Sequence, residues 1–462
     1  MLHSKKVSQR WCWLFLLFSF SASAQEPVLS LKELLDSVNA HAPALLADSA
    51  AVSIKEAQEV FARNNRLPNL KLNYQTDLGT NNNMPGGYFS YGIVPGNSRV
   101  RTEGNGSSIL SDLGIVAFDW EFYNFGGFEA QRKAARSDVN VEKAKFQQSK
   151  FQWQTYTISA YLQLMRLADL LDIQSQNIQR TTEIRRSIQA LAKSGIIAGV
   201  DTSMAEAEIS RARLNYLELS NQLQQIQLQL SSISGIRAGR IQPDTALDAR
   251  LASYFSAAAL QETDTAHHPI IALYKSLYQN SLDKEALIRK SYYPKLSLQG
   301  AIWGRGASVS AADEFRPLVK GLGFERGNYL VGVGVTYNIF DNKRKNLQLG
   351  VQRASTDLVQ KELYEQQVQL SLNISQADTE LQTAQSRLEE IPHLLTAAQA
   401  AYRQKLSLYK NGLTNLVDLN AALTMLYRAE TEYTNANYQY CKAVFQKAMN
   451  ENVVDTLLNT IK

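Results

Sequence analysis

A nine-residue stretch that occurs twice constrains this chain more than any other feature. Lys193-Ser-Gly195-Ile-Ile-Ala-Gly-Val200-Asp201 returns as Lys410-Asn-Gly412-Leu-Thr-Asn-Leu-Val417-Asp418, 217 residues further on (Lys193 to Lys410). The match extends to Ala205 and Ala422, Arg211 and Arg428, and Tyr216 and Tyr433; upstream it links Gln131 to Gln348 and Arg136 to Arg353. Each copy lies between two helical patterns. Glycine takes the left-handed conformation that ends a helix, and an aspartate six residues later is suited to cap the next one. Each copy therefore reads as the turn of a long helical hairpin, and the chain as one architecture written twice.

The repeat has a fixed internal order. Residues 30–66 are helical in pattern, broken at Ala42-Pro43, and Leu67-Pro68 stops them. Leu70, Leu72, Tyr74, Thr76 and Leu78 then alternate with Lys71, Asn73, Gln75 and Asp77, the signature of a strand with one apolar and one wet face. After a Gly/Asn/Ser-rich loop over 79–108, a second strand alternates Val116, Phe118, Trp120 and Phe122 with Ala117, Asp119 and Glu121. From Gly127 to Lys193 there is no proline, so one helix of about 100 Å is expected, at ~1.5 Å per residue. Ala160, Leu164, Leu167, Leu171 and Ile178 keep the four-three rhythm of a coiled coil. A shorter rod follows from Asp201 to Ser234.

The second half repeats this plan. His268-Pro269 opens a helix to Ser291, and Tyr293-Pro294 opens a strand through Leu296, Leu298 and Ile302. Residues 303–327 read as loop, and Val331, Val333, Val335, Tyr337 and Ile339 as the fourth strand. A second long rod spans Lys343 to Lys410 with a kink expected at Pro392, and a last one runs from Asp418 to Asn450. The expected divisions are a leader over 1–24, repeats over 25–239 and 267–462, and a connector over 240–266.

The leader reads as a secretory signal: Lys5, Lys6 and Arg10 precede an apolar run from Trp11 to Phe20, and Ala22-Ser23-Ala24 offers a cleavage site. The run is too short for a retained anchor. Without the three leader cations the formal charge of +5 falls to +2, which excludes a nucleic-acid footprint. Cys441 is then the only cysteine of the mature chain, so no disulfide framework exists. No later apolar run is long enough for a transmembrane helix, so any membrane entry must use β-strands. Four strands of about ten residues match the span of an outer-membrane barrel, which needs at least eight strands. The fold class expected is mainly α with a membrane β-barrel part. Three copies would close a 12-stranded barrel continued by a cylinder of helices.

In order and motifs the whole mature chain resembles the TolC-type outer membrane efflux proteins of Gram-negative bacteria. Asn124-Phe125-Gly126-Gly127 resembles that family's strand-to-helix junction, while Asp341-Asn342-Lys343 departs from its glycines. Ser194-Gly195-Ile196 and Asn411-Gly412-Leu413 stand where family tips meet the periplasmic adaptor. The resemblance implies an outer membrane homotrimer with its helical barrel in the periplasm. It would serve an adaptor and an inner membrane transporter, in an efflux pump or a type I secretion system, without a cofactor. The resemblance also implies that Asp418 belongs to a periplasmic constriction and that Tyr409 matches a gating tyrosine. A gating arginine position falls on Thr414, and an acidic position on Ala421.

The residues themselves leave alternatives open. Asp201 and Asp418 are explained by helix capping alone. Gathered by threefold symmetry, they would instead form a carboxylate ring whose members raise one another's pKa and attract cations. Tyr409 at that spacing also suits plain packing. His267 and His268 belong to a helix start, and with His41 and His393 they form no metal-ligand cluster. No nucleophile–base arrangement is present, so no enzyme is expected. The competing class is a periplasmic coiled-coil adaptor or structural protein, disfavoured by four strands that alternate in one sense.

Overall fold

The computed structural model describes residues 29–80, 82, 103–193, 199–244, 247 and 265–460. The leader, most of the connector, and the tip residues Ser194, Gly195 and Ile196 lie outside the described residues. In chain order the elements are α1 (Leu31–His41), α2 (Pro43–Asn64), β1 (Asn69–Gly79), β2 (Ile109–Tyr123), α3 (Gly127–Lys193) and α4 (Gly199–Ser234). The second half contributes α5 (Pro269–Ser291), β3 (Lys295–Ala307), β4 (Arg326–Thr336), α6 (Asn342–Lys410), α7 (Leu416–Asn450) and α8 (Val454–Thr460). Strand–strand–long helix–helix thus occurs twice, as the duplication predicts.

Local chemistry sets the helix ends. Ser30 caps α1 through a reciprocal capping box with Glu33. Pro43 and Pro269 occupy first-turn positions, where the missing N–H leaves no partner short. His268 is the N-cap of α5, its Nδ1 accepting from the Ile270 amide at 3.3 Å while the ring meets Phe151 edge-on. The two rods contain 67 and 69 residues, each about 100 Å long at ~1.5 Å per residue. The helix runs through Pro392 without interruption. Among the described residues no helix is long and apolar enough to cross a membrane.

The four strands form one antiparallel sheet in the order β1-β2-β3-β4, so β2 and β3 join the two repeats and β1 and β4 are unpaired edges. Register puts Leu72, Val116, Ile302 and Tyr329 in one row, and Leu70, Phe118, Gly300 and Val331 in the next. These rows share a face. The opposite face carries Lys71, Asn73, Gln75, Asp119, Gln299, Arg305 and Asn328. The apolar face lies open in the single chain, with Leu72 77% and Val331 73% exposed.

Two sequence expectations fail here. β4 ends at Thr336, so Tyr337 and Ile339 are not strand, and Ile339–Asp341 forms a turn of 3-10 helix that leads into α6. Residues 303–307 are strand, and so is Arg326-Gly327; the loop between β3 and β4 is only 308–325. Glycines in β3 imitate a loop because that loop folds back onto the sheet. A Cβ on Gly304 would sit 2.7 Å from the Phe324 ring, and one on Gly306 would collide with the Gly323 carbonyl. The Asp112 carboxylate, on a strand and buried, accepts the Gly323 amide at 3.1 Å and pins the fold-back.

The main core sits halfway along the rods. Ile158, Tyr161, Leu164 and Leu167 of α3 pack with Leu34 and Val38 of α1, Leu230 of α4, and Val444 and Phe445 of α7. Tyr161 is fully buried, yet its hydroxyl donates to the Leu29 carbonyl at 3.0 Å and accepts the Asp244 amide at 2.9 Å. A second core of Ile184, Ile188, Ala205, Tyr409, Leu416 and Leu419 joins the two hairpins near their tips.

Candidate entrance at the hairpin tips

The α6–α7 turn ends α6 in a Schellman motif. The Leu413 amide donates to the Leu408 carbonyl at 2.9 Å and the Gly412 amide to the Tyr409 carbonyl at 3.0 Å. Gly412 has φ +73°, and a Cβ there would meet no atom within 4 Å. Backbone conformation alone selects glycine. Asn411 reinforces the end through Nδ2 to the Ser407 carbonyl at 2.8 Å. Leu413 is 72% exposed, and Val417 and Val200 are also exposed, which leaves an apolar patch at the hairpin ends.

The capping assignments of the two aspartates are corrected. Asn415 is the N-cap of α7, its Oδ1 accepting the Asp418 amide at 2.8 Å. Asp418 stands three residues further on, in the first turn, where the helix dipole favours a negative charge. Its Oδ2 accepts Lys405 Nζ at 2.9 Å and the Thr414 hydroxyl at 3.0 Å. Asp201 likewise falls inside the first turn of α4, which starts at Gly199. The residue pattern Gly-x5-Asp resembles turn-then-cap, but in both halves the helix begins before the aspartate.

The expected upward titration of Asp418 is not what its surroundings produce in the single chain. The hydrogen bond from Lys405, then that from Thr414, then the lysine's charge hold its carboxyl below the ordinary value. Asp201 and Asp418 have different neighbours. Burial raises the pKa of the Tyr409 phenol, and the charge of Asp201 adds to that rise. In the single chain the Tyr409 side chain packs in the tip core, and its hydroxyl has no hydrogen-bond partner among the described residues. The Thr414 hydroxyl donates to Asp418.

Sequence reasoning missed a link above the tips. Arg180 Nη2 of α3 reaches both carboxylate oxygens of Glu430 on α7, at 2.8 and 3.0 Å, with both side chains largely buried. The neighbouring Tyr402 phenol titrates high, chiefly because it is buried. Arg185 and Glu206 form a second bridge, between α3 and α4, at 2.6 Å. Charges are so frequent on rods of this length that no spacing rule singles out these pairs. Among the described residues no group of three or more His, Cys, Asp or Glu could hold a metal ion.

Comparison with known proteins agrees with this fold. The outer membrane efflux protein family matches residues 34–236 and 271–446. The chain belongs to that family, so the class of protein is an efflux channel and not an enzyme. Its fold is shared by the outer-membrane channel OprN at TM-score 0.71 and 17% identity, over 91% of this chain and 89% of that one. The outer membrane protein VceC of Vibrio cholerae matches at 0.70 and 15%, over 91% and 95%. The CmeC outer membrane channel of Campylobacter jejuni matches at 0.71 and 13%, over 94% and 89%. No curated protein sequence matches significantly.

Proposed function

We propose that the protein is a homotrimeric exit duct of the outer membrane, passively conducting cargo from an inner membrane transporter and its periplasmic adaptor to the exterior. One observation carries this reading: a four-stranded sheet with an open apolar face and two unpaired edges, β1 and β4. Neither edge can face lipid, because unpaired N–H and C=O groups there have no partner. Pairing β4 of one copy with β1 of the next removes both edges, and three copies make twelve strands. The apolar face then meets lipid and the polar face lines a lumen, as alternation requires.

In this arrangement the Asn411-Gly412-Leu413 and Ser194-Gly195-Ile196 tips meet the adaptor, and Asp201 and Asp418 line the periplasmic mouth. The apolar exposure of Leu413 and Val417 supports the first role. The position of Asp418 in a first turn, beside the tip, supports the second. The deciding experiment combines mass measurement in detergent with conductance in planar bilayers. A trimer that conducts is expected, and a stable monomer with a closed barrel overturns the proposal.

A further inference from the structure

At the end of the sheet remote from the helices, Arg305 of β3 stands directly opposite Arg326 of β4. Their row continues through Leu113 to Gln75, on the polar face. Like charges directly opposite across antiparallel strands are destabilising. Here they persist without compensation: among the described residues, neither arginine makes an ion pair, and both are exposed. Elsewhere on that face a lysine and a glutamate do meet, Lys295 and Glu121 at 3.1 Å.

The fold-back of 308–325 explains why the pair stays unmatched. Glu325, adjacent in sequence to Arg326, is held by Arg316 at 2.9 Å. Asp112 is committed to the Gly323 amide on the opposite face. Asp77, on the polar face near this end, accepts from Gln75 at 3.0 Å. Even if a neighbouring copy brought its Asp77 to Arg326, Arg305 would remain uncompensated. The loop thus takes up Glu325 and Asp112, and the two guanidinium groups are left on the polar face.

We infer that Arg305 and Arg326, two per copy and six in a trimer, form a cationic ring inside the outer mouth that favours passage of anionic solutes. This rests on the trimeric duct proposed above. Guanidinium groups cannot lose their charge in the physiological range and present planar donors to carboxylate or phosphate oxygens. Rings of Arg or Lys are the arrangement by which pores favour anions. The chemical class selected is therefore small anions and cargo carrying carboxylate or phosphate groups.

The test is the reversal potential of the reconstituted protein in planar bilayers under a potassium chloride gradient. Wild-type protein is compared with Arg305→Gln/Arg326→Gln and with Arg305→Lys/Arg326→Lys. The glutamine variant should raise the cation-over-anion permeability ratio about twofold or more. That is the factor one unit charge about 8 Å away exerts on a monovalent ion in water. The lysine variant, which keeps the charge, should match wild type. An unchanged ratio in a glutamine variant of normal oligomer size and conductance overturns this inference and leaves the duct standing. A wild-type protein that does not conduct overturns the duct, and the ring with it.

Discussion

Arg180 and Glu430 join the first long helix to the last, with guanidinium and carboxylate at 2.8 Å and most of both side chains out of water. The bridge crosses between the two repeats, so each hairpin restrains the other just above the tip core of Ile184, Ile188 and Leu419. Breaking it from either side leaves a poorly solvated charge. Arg180 is the worse one to strand, since its Nη1 already lacks a partner among the described residues.

Glu430→Gln should therefore destabilise the chain by about 2 kcal/mol, below the full loss seen for wholly buried pairs because some solvent reaches this one. Arg180→Gln should lose somewhat less, and the double variant less than the sum of the two. Denaturant unfolding of the four proteins measures the coupling. Additive losses would show that the pair contributes nothing as a pair.

At the α7 start, Asn415 and Asp418 have separate tasks, and substitution should separate them. Asn415→Ala removes the side-chain acceptor for the Asp418 amide and should lose about 1 kcal/mol. Asp418→Asn keeps the cap intact but removes the lysine link, so it should loosen the turn without comparable loss of stability. Hydrogen exchange over 411–418 reads the loosening. Equal destabilisation by both substitutions would return the capping role to Asp418.

The same link fixes a pH dependence. A carboxyl whose folded-state pKa is lowered contributes stability that is present above its unfolded value and lost as pH falls through the folded one. For Asp418 that window lies below the ordinary 3.8, because Lys405 and Thr414 hold its charged form. Between pH 7 and 5 its charge should not change. The contribution of this mouth to the cation-over-anion permeability ratio should be flat over that range, and the ratio should fall at neutral pH in Asp418→Asn. A midpoint near pH 6 that vanishes in Asp418→Asn would mean that clustered copies raise the carboxyl after all.

Gly412→Val tests the tip. Its φ of +73° costs about 1–2 kcal/mol for a residue with a Cβ, more when β-branched, although the Cβ itself has space. Cross-linking to the adaptor and efflux should fall while the trimer forms normally, since the strands lie at the other end of the rods. Gly412→Asn, which tolerates this conformation, should retain most activity. If valine changed neither, the turn would play no part in docking.

Much of this architecture was legible because two periods dominate the chain. The alternation from Leu70 to Leu78 and the proline-free run from Gly127 to Lys193 each admit one regular structure. The duplication then doubles every assignment. What misled was glycine: Gly304 and Gly306 look like loop, and only the returning Phe324 and Gly323 backbone explain them as strand. The caps were misplaced for a related reason, because Asn415 and Asp418 are both good capping residues three positions apart. Long-range partnerships such as Arg180 with Glu430 or Arg305 with Arg326 depend on register between distant segments. Local sequence contains no trace of that register.

The orientation of the sheet supplies the last prediction. Gly332 and Val333 are neighbours in β4 whose positions point to opposite faces. Val333 shares a row with Leu298 and Trp120, the apolar face, whereas Gly332 shares one with Gln299 and Asp119. An arginine on the lipid face costs up to about 2–4 kcal/mol at the middle of a membrane and less towards its surfaces, while the lumen accepts it. A Cβ on Gly332 meets no atom within 4 Å, so there is room for a longer side chain to begin. Val333→Arg should therefore sharply reduce the yield of folded trimer in liposomes, by three copies of that penalty. Gly332→Arg should assemble normally and narrow the pore, seen as reduced conductance. Equal tolerance at the two positions would mean that β4 does not face lipid, and the reverse order would turn the barrel inside out.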